Sequence, residues 1–522
     1  MLSDLASLRG WAWSAVLCAA SMQVLAAGDP EQACRDLYRL TDLSHAVEPG
    51  MFVAASEPLP DYCRVRGVIN RAIRFEVTMP IEDWNGRLMF SAAAGMAGYL
   101  DDTVSLLPSG FAMATTDTGH SYSENETLEW LKQPEALLDY AYRANHLVTL
   151  FAKQIITTFY GRKVDYAYLK GCSNGGRAAL MEALRFPEDY NGIIAGAPVF
   201  SYKEALPWML AQARAQRANP LTHESLEVLG DASREACDLL DGVEDGVIDD
   251  PRKCTSEVFD ISTLECQSNP EEGCLTPGQI ETAKFMYAGL QNAEGKVLSH
   301  GAPPGAEGAG DWGAWVIDGQ GDESANEYTR HLLTNLLFRN PQFDLDRFDP
   351  VADRQMLDEA AVFMDVWSAD LTEFQAGGGK LLMYFGLNDF PLRAQLAIDY
   401  LALVEQQNGG RETTADFLRL FLVPGMLHCG GGPGPSQVDW VDPIVHWVEE
   451  GKAPDRIVGK QLGLEGLSGE LGAGDAPVFT RPICRYPKYA KYSGRGDIDD
   501  EQNFRCVSEQ LDEIRQSAEA NK

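Results

Sequence analysis

The stretch Gly171–Arg177, with the sequence GCSNGGR, follows a short apolar run and precedes a segment of helical periodicity. It contains a G-x-S-x-G pattern, whose glycines permit a sharp turn from a strand into a helix that leaves the central serine exposed. The pattern alone is weakly specific in a chain with 49 glycines. Its strand–turn–helix context predicts Ser173 as a nucleophile, with the backbone N–H of Asn174 directed at a developing oxyanion. The alternative is a tight turn without chemistry.

Apolar runs alternate with helical segments on both sides of this turn. Strands are predicted at 111–116, 166–169, 192–196, 380–385 and 418–423. Helices are predicted at 137–158, 177–186, 392–407 and 441–450. Strands separated by helices predict a parallel sheet covered by helices, and so an α/β fold.

The segment 199–377 differs in character from its surroundings. It holds four cysteines, a stretch rich in glycine and proline at 301–313, and a run of aromatic residues. We interpret it as one insertion, so the chain is predicted to have an α/β-hydrolase fold in two parts, 27–198 and 378–522, with an inserted lid domain at 199–377. Within the lid, Trp312, Trp315, Tyr328 and Phe338 either form the wall of an aromatic substrate pocket, with Arg330 at a substrate carboxylate, or pack in the lid core.

A serine nucleophile needs a histidine base that a carboxylate orients, and in α/β-hydrolases the acid precedes the histidine in the chain. His428 lies in a glycine-rich loop after the strand at 418–423, and Asp389 follows the strand at 380–385. Catalytic groups of α/β proteins lie at such strand ends. These two residues are therefore the candidates for base and acid, although a solvated loop position is the alternative for each.

The N-terminal segment 1–26 has the pattern of a secretory signal peptide. Arg9 precedes an apolar run at 11–20, and small residues follow at a cleavage position near Ala26. The run is too short for a membrane-spanning helix. We therefore expect a secreted or periplasmic protein without a membrane anchor, the alternative being a buried N-terminal helix.

Removal of this segment takes Cys18 with it and leaves ten of the eleven cysteines. An even number in an exported protein predicts five disulfides, and the chain lacks the C-x-x-C and H-E-x-x-H spacings of common zinc sites. Pairing by separation gives Cys237–Cys254, Cys266–Cys274, Cys484–Cys506 and Cys34–Cys63, which leaves Cys172 and Cys429.

A disulfide between Cys172 and Cys429 would bear directly on the candidate site, because these cysteines adjoin Ser173 and His428. The bond holds two Cα atoms roughly 5.5–6 Å apart, so the serine and the histidine would be drawn together. Closing so long a loop contributes about 4–5 kcal/mol in the chain-entropy model.

Charge excludes some partners. Lys and Arg total 43 against 77 Asp and Glu, a net charge of −34, which repels nucleic acid and anionic membrane surfaces. The composition is that of a globular protein, and it carries no indication of the oligomeric state.

Three motifs, GCSNGGR at 171–177, PGMLHCGGGPG at 424–434 and TDTGH at 116–120, resemble those of the tannase and feruloyl esterase family. The resemblance extends from about Cys34 to Cys506, and the short cysteine separations are most similar to bacterial members of the mono(2-hydroxyethyl) terephthalate hydrolase type. It implies a secreted serine esterase that cleaves feruloyl, galloyl or terephthaloyl monoesters through an acyl-enzyme. The alternatives are a generic lipase, esterase or peptidase on the same scaffold, or a non-catalytic, calcium-stabilised binding module.

The resemblance also implies roles for individual residues. It implies a catalytic triad of Ser173, Asp389 and His428, above a disulfide between Cys172 and Cys429. It implies an oxyanion hole formed by the amides of Asn174 and Gly95. The chain departs from the family in two places: alanines occupy 92–94, where the family has more glycines, and Phe385 stands where a histidine commonly precedes the acid.

The segment 237–249, CDLLDGVEDGVID, concentrates carboxylates among glycines. Hard oxygen ligands on a turning backbone suit Ca²⁺, although the spacing is not that of an EF-hand. By resemblance this is the structural calcium site of the family's lid, with ligands from the side chains of Asp238, Asp241 and Asp245 and the carbonyls of Val243 and Val247. The alternative is a solvated acidic loop.

Overall fold

The computed structural model describes residues 29–267, 273–317, 329–337, 344–357, 362–462 and 477–508. The segment expected to be a signal peptide, 1–26, lies outside the described residues.

Strands and helices are numbered here in chain order. The first strands are β1 (His45–Val47), β2 (Met51–Val53), β3 (Tyr62–Ile69), β4 (Ile73–Pro80), β5 (Arg87–Ala92), β6 (Ala112–Thr116), β7 (Tyr166–Cys172) and β8 (Gly192–Gly196). The later strands are β9 (Leu290–Gln291), β10 (Val297–Ser299), β11 (Lys380–Gly386), β12 (Leu418–Val423), β13 (Gln437–Val438), β14 (Arg456–Gln461), β15 (Phe479–Cys484), β16 (Lys488–Tyr492) and β17 (Phe504–Ser508).

The α-helices whose two ends both lie in the described ranges include α1 (Pro30–Arg35), α2 (Pro134–Leu138), α3 (Ala144–Tyr160), α4 (Asn174–Arg185), α5 (Tyr202–Ala218), α6 (His223–Cys237), α7 (Pro277–Ala288), α8 (Thr372–Ala376), α9 (Gln395–Gln407), α10 (Arg411–Ala415) and α11 (Val441–Glu450). Throughout these ranges, every helix is too short or too polar to cross a lipid bilayer.

A ten-stranded sheet with the order β1-β3-β4-β6-β5-β7-β8-β11-β12 forms the centre of the molecule, and β2 also pairs with β3. The six strands from β6 to β12 in this order run parallel, and β4 is antiparallel to β6. Every residue of β8, GIIAG, is buried, which is typical of a parallel strand covered on both faces. The predicted α/β fold is therefore confirmed.

Helices cover the two faces of this sheet. Leu88 and Phe90 of β5 join the core that contains residues of α3, α4 and α9, whereas Met89 joins the core that contains residues of α11. This alternation follows from the two-residue period of a strand. The strands β8 and β12 and the helix α11 begin and end where the sequence predicts.

The predicted helix at 137–158 is interrupted. Residues Asp139–Arg143 form a π-helical turn between α2 and α3. This turn carries the buried Tyr140 hydroxyl to the carbonyl of Gly95, at 2.9 Å. It also presents two carbonyl groups to the buried guanidinium of Arg177, at 2.9 and 3.2 Å. Periodicity does not reveal this wider turn, because it depends on partners distant in the chain.

The segment interpreted as a lid, 199–377, lies between β8 and β11 and includes α5 to α8 with the hairpin of β9 and β10. It has an apolar core of its own, in which Trp208 and Trp312 are buried. Its later residues, among them Phe348 and Met364, join the core of the main sheet. The segment is therefore packed firmly against the α/β part of the chain.

Candidate active site

Ser173 lies at the turn between β7 and α4. Its backbone angles, φ 61° and ψ −123°, fall in a region that non-glycine residues rarely adopt. The turn is fixed from both sides, since the Ser173 amide donates to the Gly196 carbonyl at 3.0 Å and the Ser173 carbonyl accepts from the Arg177 amide at 2.9 Å. Such a strained, well-supported turn holds a serine hydroxyl away from the helix that follows it.

The glycines after Ser173 allow α4 to approach the sheet closely. A Cβ atom on Gly175 would collide with the carbonyl oxygen of Ala92, and one on Gly176 would collide with that of Gly196. This packing requires glycine at both positions. It therefore accounts for the two adjacent glycines of the GCSNGGR motif.

His428 and Asp389 form a hydrogen-bonded pair. The Nδ1 atom of His428 lies 2.8 Å from Oδ2 of Asp389, whose side chain is fully buried. The other carboxylate oxygen of Asp389 accepts from the amide of Leu392 at 2.9 Å. When Nδ1–H of His428 donates this hydrogen bond to the carboxylate, Nε2 of the neutral imidazole remains free to act as a base.

The structure joins the five cysteine pairs predicted from parity and separation. They are Cys34–Cys63, Cys172–Cys429, Cys237–Cys254, Cys266–Cys274 and Cys484–Cys506. The Cα atoms of Cys172 and Cys429 lie 6.0 Å apart. Ser173 and His428, their chain neighbours, line one cavity of about 270 Å³ together with Asn174 and Gly95.

A second carboxylate, which the sequence did not single out, contacts the histidine loop. Oδ2 of Asp311 accepts from the backbone amide of His428 at 2.7 Å. Desolvation and the nearby charge of Asp389 raise the pKa of Asp311 to about 6. Asp311 lies in the lid segment, 117 residues before His428, and no local motif surrounds it.

The two carboxylates set the proton affinity of the imidazole. Burial by itself would lower the pKa of His428, but the charge and hydrogen bond of Asp389 and the charge of Asp311 outweigh burial and raise it. The environment therefore favours the protonated imidazole, which is the state that a general base reaches when it has accepted a proton.

The loop that carries Gly95 is held by the TDTGH motif at 116–120. Nε2 of His120 contacts the carbonyl of Met96 at 2.7 Å, and the amide of Gly98 donates to the carbonyl of Asp117 at 3.0 Å. Both His120 and Asp117 are buried. The motif therefore holds the backbone of the loop that carries Gly95, although Asp117 and His120 do not line the cavity themselves.

The side chain of Asn174 connects the serine turn to the lid. Its Oδ1 accepts from the hydroxyl of Tyr202, in α5, at 2.6 Å and from Nε of Arg177 at 3.2 Å. Tyr202 also lines the cavity. The first helix of the lid is therefore hydrogen-bonded to the residue that follows Ser173.

The rest of the cavity wall is mainly apolar. It is formed by Ala94, Val199, Ala205, Leu206, Met209, Trp315, Leu332, Pro391, Leu392 and Cys429. Trp315 thus belongs to the cavity, whereas Trp312 is buried in the lid core, with its ring centroid 4.8 Å from that of Phe390. Tyr328 and Phe338 lie outside the described residues, and Arg330 has its guanidinium 3.4 Å from the ring of His331.

The acidic loop at 237–249 has the character of a cation site. Oδ1 of the buried Asp238 has no hydrogen-bond partner. Desolvation and neighbouring carboxylates raise the pKa of Asp241 to about 6 and that of Asp249 well above its ordinary value. Arg481 donates to Asp245 and offsets part of this charge. A buried carboxylate oxygen without a donor, in a loop of excess negative charge, fits a bound hard cation.

Similarity to known proteins identifies the family of this chain. The sequence model of the family described as tannase and feruloyl esterase matches residues 61–507. The chain belongs to this family. The mono(2-hydroxyethyl) terephthalate hydrolase of Piscinibacter sakaiensis is 32% identical to it, over 87% of this chain and 86% of that protein. A probable feruloyl esterase B-2 of Aspergillus fumigatus is 28% identical, over 86% of each chain.

The fold has a solved counterpart. The crystal structure of feruloyl esterase B from Aspergillus oryzae superposes with a TM-score of 0.81 at 25% identity, and the match covers 92% of this chain and 100% of that one. The predicted family and the predicted α/β fold class are confirmed. The protein is an ester hydrolase of the tannase and feruloyl esterase type.

Proposed function

We propose that this family member is a serine esterase that cleaves small esters of aromatic carboxylic acids through an acyl-enzyme. The observation that carries the proposal is the pair of Asp389 and His428, hydrogen-bonded at 2.8 Å, with His428 and Ser173 lining the same cavity. The disulfide between Cys172 and Cys429 keeps the two loops in register.

In the proposed reaction, Oγ of Ser173 attacks the ester carbonyl carbon while Nε2 of His428 accepts its proton. The carbonyl oxygen becomes an oxyanion that the amides of Asn174 and Gly95 stabilise. The intermediate collapses, the C–O bond to the alcohol breaks, and His428 returns the proton to the departing alkoxide. Water then repeats the sequence on the acyl-enzyme, and the carboxylic acid leaves Ser173.

The size and character of the cavity support an aromatic acyl group. A volume of about 270 Å³ and a mainly apolar wall suit a single aromatic ring. The names of the relatives point to terephthaloyl and feruloyl esters as the first substrates to test.

This proposal is tested by initial rates on methyl ferulate, methyl gallate, mono(2-hydroxyethyl) terephthalate and p-nitrophenyl butyrate. We expect kcat/KM on at least one aromatic ester to exceed that on the butyrate. Turnover of the butyrate alone would contradict the aromatic assignment and leave a generic esterase.

Replacement of Trp315 by Ala is expected to lower kcat/KM on the preferred aromatic ester by about tenfold, because the aromatic ring of the substrate loses an aromatic side chain to pack against. Hydrolysis of p-nitrophenyl butyrate, measured beside it, should change much less. Trp440, which stacks on Tyr384 with ring centroids 4.5 Å apart, is not among the cavity residues and provides the control substitution W440L. An equal loss on both substrates in W315A would contradict the assigned role.

The pH dependence follows from the carboxylates beside His428. Only the neutral imidazole accepts the serine proton, so kcat/KM should rise with pH through the raised pKa of His428, with a midpoint above the ordinary value of about 6.5. Asp311→Asn removes a negative charge that stabilises the imidazolium. The pKa should fall, and the rise in kcat/KM should move to lower pH.

The control for this titration is Asp370→Asn, which removes an exposed carboxylate that interacts with Thr372. It should leave the pH profile in place. A profile that is unchanged in D311N, or that moves to higher pH, would show that Asp311 does not act on the histidine.

We also propose that the loop at 237–249 holds a structural Ca²⁺. The ligands would be the side chains of Asp238, Asp241 and Asp245 and the carbonyls of Val243 and Val247. The ion would neutralise the carboxylates and fix the lid, and it takes no part in ester cleavage. Residues 199–377 would then depend on it for stability.

Removal of calcium with a chelator should lower the melting temperature by about 3 °C, since a ligand at 100 times its Kd adds about 2.7 kcal/mol. Initial rates at low temperature should change less. Addition of Ca²⁺ to the chelated protein should raise the melting temperature again. Identical melting with and without the chelator would rule out a stabilising calcium ion.

Export to an oxidising compartment, periplasmic or extracellular, completes the proposal. Five disulfides are stable in such compartments and are rare in the cytosol. Detection of the mature chain, starting near residue 27, outside the cytoplasm would test it.

A further inference from the structure

A second cluster of potential metal ligands lies on the opposite end of the helix that begins after Ser173. Among the residues that the structure describes, one group of three acidic, histidine or cysteine side chains brings its ligand atoms within 4.8 Å of one another: His146, Glu182 and Asp189. They come from α3, from α4 and from the loop between α4 and β8. The three residues are distant from the acidic loop at 237–249 in the chain.

Glu182 is the unusual member of this cluster. Its side chain is fully buried, and neither carboxylate oxygen has a hydrogen-bond partner. A buried carboxylate without a donor is costly, and proteins normally compensate it with a hydrogen bond or a cation. The two side chains beside it point potential ligand atoms toward the same small volume.

The other two members are held in place by their surroundings. Nδ1 of His146 lies 2.6 Å from Oδ2 of Asp189, and the imidazole stacks on Phe186 with ring centroids 3.8 Å apart. Lys153 donates to the backbone carbonyl of Asp189, which fixes the loop. The side chain of His146 is 24% exposed, so water can reach the cluster from this side.

We propose that His146, Glu182 and Asp189 bind one Zn²⁺ ion, with water as the fourth ligand. One imidazole nitrogen and two carboxylates form a donor set that zinc accepts, and calcium takes oxygen ligands alone. The charges of the two carboxylates would then be offset by the divalent ion together with the nearby ammonium group of Lys153. The site would tie α3 to the far end of α4, whose first residue adjoins the candidate nucleophile.

The competing explanation is a proton in place of the metal. Burial and the charge of Asp189 hold the pKa of Glu182 well above its ordinary value, so Glu182 can carry a proton that it shares with Asp189. A protonated pair satisfies the buried oxygens without a metal. The two explanations differ in what Zn²⁺ does to the protein.

The experiment uses the full-length protein, stripped of metals and then kept in excess Ca²⁺ so that the lid loop is saturated. Zn²⁺ is titrated by calorimetry and by melting temperature, and Co²⁺ is used as a visible probe of four-coordinate geometry. We expect one tight Zn²⁺ per chain, a rise in melting temperature, and a Co²⁺ spectrum with a nitrogen ligand in a four-coordinate site.

Two substitutions locate the ion. E182Q and H146Q should each weaken Zn²⁺ binding by about 100-fold or more, which exceeds the effect of removing an outer-shell partner. His146 is partly exposed, so H146Q tests the site even if E182Q does not fold. The control is H446Q, which alters an exposed pair with Glu450 at 3.7 Å and should leave zinc binding unchanged.

The proposal is overturned by wild-type protein that binds no tight Zn²⁺. It is also overturned if E182Q and H146Q bind zinc like the wild type, or if H446Q removes the binding. The proton explanation predicts no zinc-dependent rise in melting temperature for any variant, together with a metal-free E182Q that is as stable as the wild type or more so.

Discussion

Replacement of Ser173 by Ala should lower kcat by at least about 10⁴-fold on every ester that the protein cleaves, because the proposed acyl-enzyme cannot form without the hydroxyl. The fold should remain intact. Alanine keeps the Cβ atom of serine, and the hydrogen bonds of the turn come from the backbone of residue 173, to Gly196 and Arg177. The measurement is steady-state hydrolysis, with the melting temperature as a check on folding.

Ser105→Ala is a matched control for this substitution. Ser105 is exposed, hydrogen-bonds to Asp102 and is not among the residues that line the cavity. It should retain wild-type rates. Residual turnover above about 1% in S173A would mean that another group attacks the ester.

The double replacement C172A/C429A is expected to have the second largest effect. The disulfide closes a loop of 257 residues, for which the chain-entropy model gives about 5.5 kcal/mol. Its loss should also lower kcat, because the loops of Ser173 and His428 would no longer be joined at a Cα distance of 6.0 Å. Chemical unfolding and initial rates measure the two effects separately.

The double replacement C266A/C274A is the control, because it measures how the loss of a disulfide away from Ser173 changes stability and kcat. That bond spans 8 residues, for which the same model gives about 2.5 kcal/mol, and it lies in the lid. We expect a smaller loss of stability and no change in kcat. If both double variants lose kcat equally, the bond beneath Ser173 has no special part in catalysis.

The local features of the fold were predictable from the sequence. The strand β8 is a continuous run without polar side chains because a parallel strand inside the sheet is buried on both faces. The glycines of the serine turn were predictable because the close approach of helix and sheet excludes a Cβ atom at Gly175 and Gly176. The pairing of Cys172 with Cys429 followed from parity, once shorter separations had been assigned.

Long-range contacts that no cysteine or catalytic motif marks were not predictable. Asp311 reaches the amide of His428 only because the lid folds back over the sheet, and no periodicity marks it. The π-helical turn at Asp139–Arg143 depends on two partners in other elements: Arg177 donates to its carbonyl groups, and the carbonyl of Gly95 accepts from its Tyr140 hydroxyl. Trp312 and Trp315 are three residues apart, and the sequence does not distinguish their roles. Trp312 packs in the lid core, whereas Trp315 lines the cavity.

One departure from the family pattern has a structural explanation. Phe385, in place of a histidine, is fully buried among the core residues of the sheet. The glycine after it is required, because a Cβ on Gly386 would collide with the carbonyl oxygens of Met426 and Leu427. This close contact places the strand that leads to Asp389 directly against the loop that leads to His428.

The central claim, that Ser173 carries the acyl group, is tested most directly by trapping the intermediate. The wild-type protein is mixed with an excess of the p-nitrophenyl ester of its preferred aromatic acid, quenched in acid during the burst, digested and mapped by mass spectrometry. We predict one acyl group per chain, on the peptide that contains Ser173 and on that residue. An acyl group on a different residue, or turnover of the ester with no acyl-enzyme at any quench time, would contradict the account.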